Sequence, residues 1–194
     1  MNKLIPFSKM VSQLTILLLS LMLRLYICEA GRNWDSQPIS ISSNSTDENL
    51  LKMDLHLERK GRGEFGFTGT VYWNFDVDEK TMVEMLIYRS TTGSESDYKL
   101  TPWSIPKQNF IEYLDTFYKD IILKNFKDCS DLPDFGDKYV PPFPQKNYTI
   151  NACKVQGDGL PDVVPEGFYK MVAQVENPMM VYISVVLKIT TKYY

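Results

Sequence analysis

The residues able to do chemistry are few, and their spacing favours little of it. The chain holds one histidine, His56. Every Ser/His/Asp or Cys/His catalytic arrangement would have to use it, and a metal site built from several imidazoles is excluded. Gly61-Arg62-Gly63-Glu64-Phe65-Gly66 spells the G-x-G-x-x-G dinucleotide fingerprint, but that fingerprint needs a helix N-terminus directly after it to meet pyrophosphate. A strand pattern follows here, so the segment reads as a turn. Asp76, Asp78 and Glu79 could offer oxygens to calcium, yet they read more simply as a solvated turn. Asp115-Thr116 is followed by Phe117, not by the glycine of an aspartic-protease loop, and no G-x-S-x-G, P-loop or C-x-x-C occurs. Glycoside hydrolysis needs a carboxylate pair defined by its separation in space, and nothing in the sequence marks one. The expectation is a protein that is not an enzyme and uses no cofactor and no metal.

Charge narrows the partners. With 21 Lys+Arg against 24 Asp+Glu, the 194 residues carry a net charge of −3, without the basic excess that neutralises phosphates, so no nucleic-acid partner is expected. A hydrophobic share of 44% is enough for an ordinary packed domain and too high for a disordered chain.

The first thirty residues have the order of a secretory signal. Lys3 and Lys9 precede an uncharged apolar run from Met10 to Leu23, and Cys28-Glu29-Ala30 supplies small residues at the last and third-last positions. That run is shorter than the roughly 20 residues of a membrane-spanning helix. The alternative is an uncleaved signal anchor continued through Leu25, Tyr26 and Ile27. Cleavage after Ala30 removes Cys28 and leaves Cys129 and Cys153, an even pair suited to one disulfide in an oxidising compartment, the alternative being two buried thiols. It also takes the net charge to −5. Asn44-Ser45-Thr46 and Asn147-Tyr148-Thr149 are glycan acceptor sequences. Together these features point to a secreted, extracellular protein.

The elements follow from periodicity. Residues 31–49 are polar and rich in Ser and Asn, and read as a flexible lead before a β domain over 50–194. Leu51, Met53, Leu55 and Leu57 alternate with polar residues, which places His56 on the polar face. Phe65, Phe67, Val71, Trp73, Phe75 and Val77 share one parity, with Gly69 marking a bend or bulge. Val83, Met85 and Ile87 mark a third strand. Ser90 to Pro106 reads as a long loop with a short strand near Tyr98 to Leu100. Phe110, Leu114, Phe117 and Ile121, widened by Ile111, Tyr118 and Ile122, form the one amphipathic helix, with Ser104 and Pro106 suited to its start. Strands return at about 146–155, 168–176 and 179–190, the last two flanking Asn177-Pro178. The fold class is mainly β, an antiparallel β-sandwich or β-cup with one amphipathic helix. Large inward-facing residues, Phe65, Phe67, Trp73, Phe75, Phe117, Phe168 and Met179, are the candidates to line an apolar ligand pocket, ordinary core packing being the alternative.

The segment Pro141-Pro142-Phe143-Pro144-Gln145-Lys146-Asn147-Tyr148-Thr149-Ile150-Asn151-Ala152-Cys153, followed by Gly159-Leu160-Pro161-Asp162 and Pro165-Glu166-Gly167-Phe168-Tyr169-Lys170, resembles the CheA branch of the insect contact-chemosensory Che proteins. These are similar in turn to the ganglioside-activator and lipid-recognition superfamily. The resemblance covers roughly Leu50 to the C-terminus and is most specific in the last third. It implies a secreted antiparallel β-cup whose sheets splay around an acyl chain or similar molecule, and a role in carrying or presenting apolar cues such as cuticular pheromones to a membrane receptor. Lipid-recognition relatives usually carry several disulfides, whereas this chain offers one pair. The rival expectation is a secreted β-sandwich with a filled core that binds a receptor through its surface.

Overall fold

Alternation of apolar and polar residues builds two facing antiparallel sheets. The structure, a computed structural model, describes residues 32–192; the expected signal segment over 1–30 lies outside them. The strands are β1 (Trp34–Ser45), β2 (Leu51–Gly61), β3 (Glu64–Trp73), β4 (Met82–Ser90), β5 (Lys99–Leu100), β6 (Ile105–Asn109), β7 (Lys146–Cys153), β8 (Gly167–Glu176) and β9 (Met180–Thr191). The larger sheet runs in the order β1-β9-β8-β4-β5, with β6 also paired to β4, and the smaller one runs β2-β3-β7. A single 17-residue helix, α1 (residues 110–126), connects β6 to the crossover before β7. No helix among the described residues is long and apolar enough to cross a membrane.

The expected flexible lead over 31–49 is corrected. Trp34–Ser45 is an edge strand, paired with β9 from Trp34↔Thr191 to Ser45↔Val181. Its outward positions are Asp35, Gln37, Ser40, Ser42 and Asn44, with Ile39 exposed at a register shift, which hid the alternation, while Trp34 and Ser36 are buried inward. The Trp34 indole Nε1 donates to Pro161 O at 2.8 Å and the Ser36 hydroxyl to Val155 O at 2.9 Å, fixing the strand to the β7–β8 loop.

The start of the helix is also corrected. Pro106 lies in β6, and Asn109 caps α1 by accepting from Ile111 N at 2.8 Å. Residues 114–123 of α1 are a π-helix, wider than an α-helix because it bonds i to i+5. Phe110 and Leu114 of the expected stripe are buried, and burial then continues at Tyr118 and Leu123, five residues apart, so Phe117 and Ile121 are only half-buried.

The Gly61–Gly66 segment spans the end of β2, the Arg62-Gly63 turn with Gly63 at φ +83°, and the start of β3. Gly69 falls at a register shift between β3 and β7, as its place in the pattern suggests. A Cβ there would meet Asp54 O at 1.9 Å, and φ is +141°, so only glycine lets β2 approach this closely. The Cys129–Cys153 disulfide is formed and ties the end of α1 to β7.

Candidate functional site

On the inner face of the larger sheet, buried residues at the ends of β8 and β9 flank half-buried ones in the middle. In β9, Val181 and Leu187 are buried, whereas Ile183 and Val185, of the same parity between them, are only half-buried. In β8, Tyr169 and Val175 are buried and bracket the half-buried Met171 and Ala173. The register sets these residues side by side, in one row Ser43–Ile183–Ala173–Met85 and in the next Ile41–Val185–Met171–Ile87. β8 and β9 are interior strands, and strand centres are normally the best-buried part of a sheet facing another. Ile41, Met85, Met171, Ile183 and Val185 are half-buried where they pack against the core.

In the smaller sheet the inner face is half-buried along the edge strand β2, whereas Phe67, Val71 and Trp73 of β3 and Tyr148 and Ile150 of β7 are buried. Leu51 is fully buried, and Met53, Leu55 and Leu57 that follow on the same face are half-buried. The Ser43 hydroxyl donates to Met53 O at 2.8 Å, which sets Met53 level with the Ser43–Met85 row and brings β1 against β2 along one side. Phe117 and Ile122 of α1 are half-buried against the same core. None of the side chains named on the two rows or on the inner face of β2 is charged.

Aromatic packing closes one end. Trp73 stacks on Phe75 at 4.4 Å and on Phe143 at 4.1 Å between ring centroids, with Phe110 at 5.8 Å. Phe135 meets Phe143 and Tyr139 edge-on. The Tyr118 hydroxyl donates to Pro133 O at 2.7 Å, and the Tyr148 hydroxyl to Pro144 O. Burial pushes the phenols of Tyr113 and Tyr118 well above their ordinary value and that of Tyr148 up to about 12, so all three stay neutral. Trp34, Tyr169 and Ile189, with Leu160 and Val164 of the β7–β8 loop, form a second, smaller core at the opposite end of the larger sheet.

The structure separates the seven expected pocket residues. Phe67, Trp73, Phe75 and Met179 belong to the buried core. Phe117 is half-buried against that core. Phe65 is half-buried near the turn end of β3 and belongs to neither core. Phe168 lies on the outer face, its ring 5.7 Å from Lys188 Nζ. The half-buried inner positions are instead medium-sized aliphatics and methionines at strand centres. Their inward direction was legible from alternation, but their accessibility was not.

Two clefts lie away from these rows. One, with room for about one water, is lined by Asp115, Tyr118, Phe135 and Tyr139 among others; the second is a shallow polar hollow beside Lys60, Asp131 and the disulfide. None of the seven expected residues lines either. His56 is exposed on β2 opposite Thr68. Asp78 Oδ1 accepts from Lys80 N and Thr81 N, a turn-forming arrangement that holds its carboxyl below the ordinary value. Among the described residues, no group of three or more His, Cys, Asp or Glu is placed to hold a metal.

No curated protein matches the chain. A family model described as "Protein of unknown function (DUF1091)" matches residues 83–171, from β4 through α1 and β7 into β8, and over these residues the chain is similar to that family.

Proposed function

We propose that this is a secreted, non-enzymatic binder of an apolar, lipid-like ligand, held between the two sheets and carried or presented to a membrane receptor in contact chemosensation. The observation that carries the binding part is the pair of half-buried aliphatic rows flanked by buried residues at both ends of the larger sheet. An uncharged wall of Ile, Val, Leu and Met suits acyl or isoprenoid chains, because each CH₂ transferred into it is worth roughly 0.8 kcal/mol. Met53, Met85 and Met171 give that wall flexible side chains that adapt to chain shape. The chemosensory setting rests on the resemblance of the last third of the sequence.

The test is titration of the secreted protein with a fluorescent long-chain fatty acid, beside the variant Ala173→Trp. Wild-type protein binds saturably, and the variant, with an indole among the half-buried rows, loses at least about tenfold in affinity while keeping its circular dichroism spectrum. A wild-type protein that binds neither fatty acids nor sterols overturns this reading in favour of the filled-core module that works through its surface.

A further inference from the structure

Three aromatic side chains are strongly exposed among the described residues: Tyr72 at 38%, Trp103 at 40% and Tyr182 at 39%. Trp103 has a ring partner, Tyr169, at 6.1 Å. The two tyrosines stack on no other ring, and each occupies a particular place. Tyr182 on β9 is paired directly with Asn44 on β1, and Tyr72 on β3 with Asn147 on β7. Asn44 and Asn147 are the asparagines of the two glycan acceptor sequences, and both are exposed. The same juxtaposition thus occurs twice, on different sheets, between residues far apart in sequence.

Directly opposed residues of an antiparallel pair place their Cβ atoms about 4.5–5.5 Å apart on the same face. A sugar attached to the asparagine Nδ2 therefore starts beside the tyrosine ring. N-acetylglucosamine has a face of C–H bonds, and the aromatic face carries negative charge density that attracts them. We propose that Asn44 and Asn147 each carry an N-linked glycan whose first sugar lies on the cross-strand tyrosine, Tyr182 and Tyr72 respectively. The proposal rests on entry into the secretory pathway and is independent of any ligand between the sheets. In the transfer, the sugar C1–O bond to a polyprenyl pyrophosphate donor breaks and a C1–Nδ2 bond forms. The pyrophosphate leaves with the electron pair, and the amide gives up one proton to the transferase.

This arrangement lets each glycan stiffen the pairing beneath it. At Tyr182 the hydroxyl is 3.1 Å from Met180 Sδ, which holds the ring along β9. Each glycan covers the outer face of one sheet and leaves the inner faces alone.

The test is expression of the full chain in insect secretory cells, glycopeptide mapping at both sites, and thermal unfolding of a crossed set of variants. Both sites are expected to be occupied. Asn147→Gln should lower Tm by about 2–4 °C in the wild-type background, the shift typical of one such contact in a chain of this size, and by nothing measurable when Tyr72→Ser is already present. Tyr72→Phe, which keeps the ring, should retain the full effect. Asn44→Gln should couple in the same way to Tyr182→Ser and not to Tyr72→Ser. Unmodified asparagines, or losses that add without coupling, would overturn the proposal.

Discussion

Val175 and Val185 make a controlled comparison of packed and open positions. Both are valines on the inner face of interior strands of the larger sheet; Val175 is buried at 6% exposure beside Val181 and Val83, whereas Val185 is half-buried between Ile41 and Met171. Phenylalanine has a strand preference close to that of valine, so replacing each tests space and little else. At Val175 the ring must displace close-packed neighbours, which costs about 1–3 kcal/mol, equivalent to a Tm loss of about 2–12 °C at this chain length. At Val185 the ring enters accessible apolar space and buries additional carbon, a gain of about 1–2 kcal/mol that leaves Tm unchanged or raises it. The assay is thermal unfolding by circular dichroism of both variants after solvent extraction of any bound lipid. An equal loss at the two positions would refute the reasoning, because Val185 would then be as tightly packed as Val175.

Other outcomes follow from the same contacts. Replacing both Cys129 and Cys153 by serine opens a link of sequence separation 24 and should cost about 3 kcal/mol, read as a Tm lower by about 6–12 °C. Buried Asn125 donates to Ile121 O and Asp158 O and accepts from Gly157 N, tying α1 to the β7–β8 loop; Asn125→Ala should destabilise by about 2–3 kcal/mol in denaturant titration, since buried backbone groups lose their partners. Asp97 Oδ2 accepts from Ser90 Oγ and from the amides and hydroxyls of Thr91 and Thr92, and these bonds hold its pKa far below the ordinary 3.8. A depressed carboxyl contributes stability that is present above its unfolded pKa and lost as pH falls through the folded one. Protection of the Thr91 and Thr92 amides, taken relative to their intrinsic exchange at the same pH, should therefore persist at about pH 4 and fall only in stronger acid, whereas Asp97→Asn should show low protection throughout.

Much of this architecture was legible because alternation is a strong signal when one face is apolar. β2, β3 and β9 each place Leu, Phe or Val on one parity over many residues, and their registers follow. β1 and β6 were not legible: β1 carries Ser, Gln and Asn outward, and β6 reads Ile-Pro-Lys-Gln-Asn. Each is held in place by pairing with a neighbouring strand that its own pattern does not announce. The stripe on α1 was expected at a spacing of three and four; Phe110 and Leu114 follow it, and past them burial falls on Tyr118 and Leu123 in the π-helical turns in place of Phe117 and Ile121.

The site was half legible. Large aromatics drew attention as pocket residues, but their size is what lets Trp73 and Phe75 fill the closed end with Phe143. Phe143 comes from the proline-rich crossover, whose fold no periodicity reveals. Ile183 and Val185 share the parity of Val181 and Leu187 in an alternating strand, but how far each is buried depends on packing against the opposite sheet, a property of no single strand.

The most direct measurement is native mass spectrometry of the protein secreted from insect cells, followed by organic extraction of what co-purifies. The account predicts a reproducible apolar adduct that is absent from a secreted sandwich protein handled identically and from the Ala173→Trp variant. A bare mass for the wild-type protein that persists after incubation with long-chain fatty acids and sterols would contradict it.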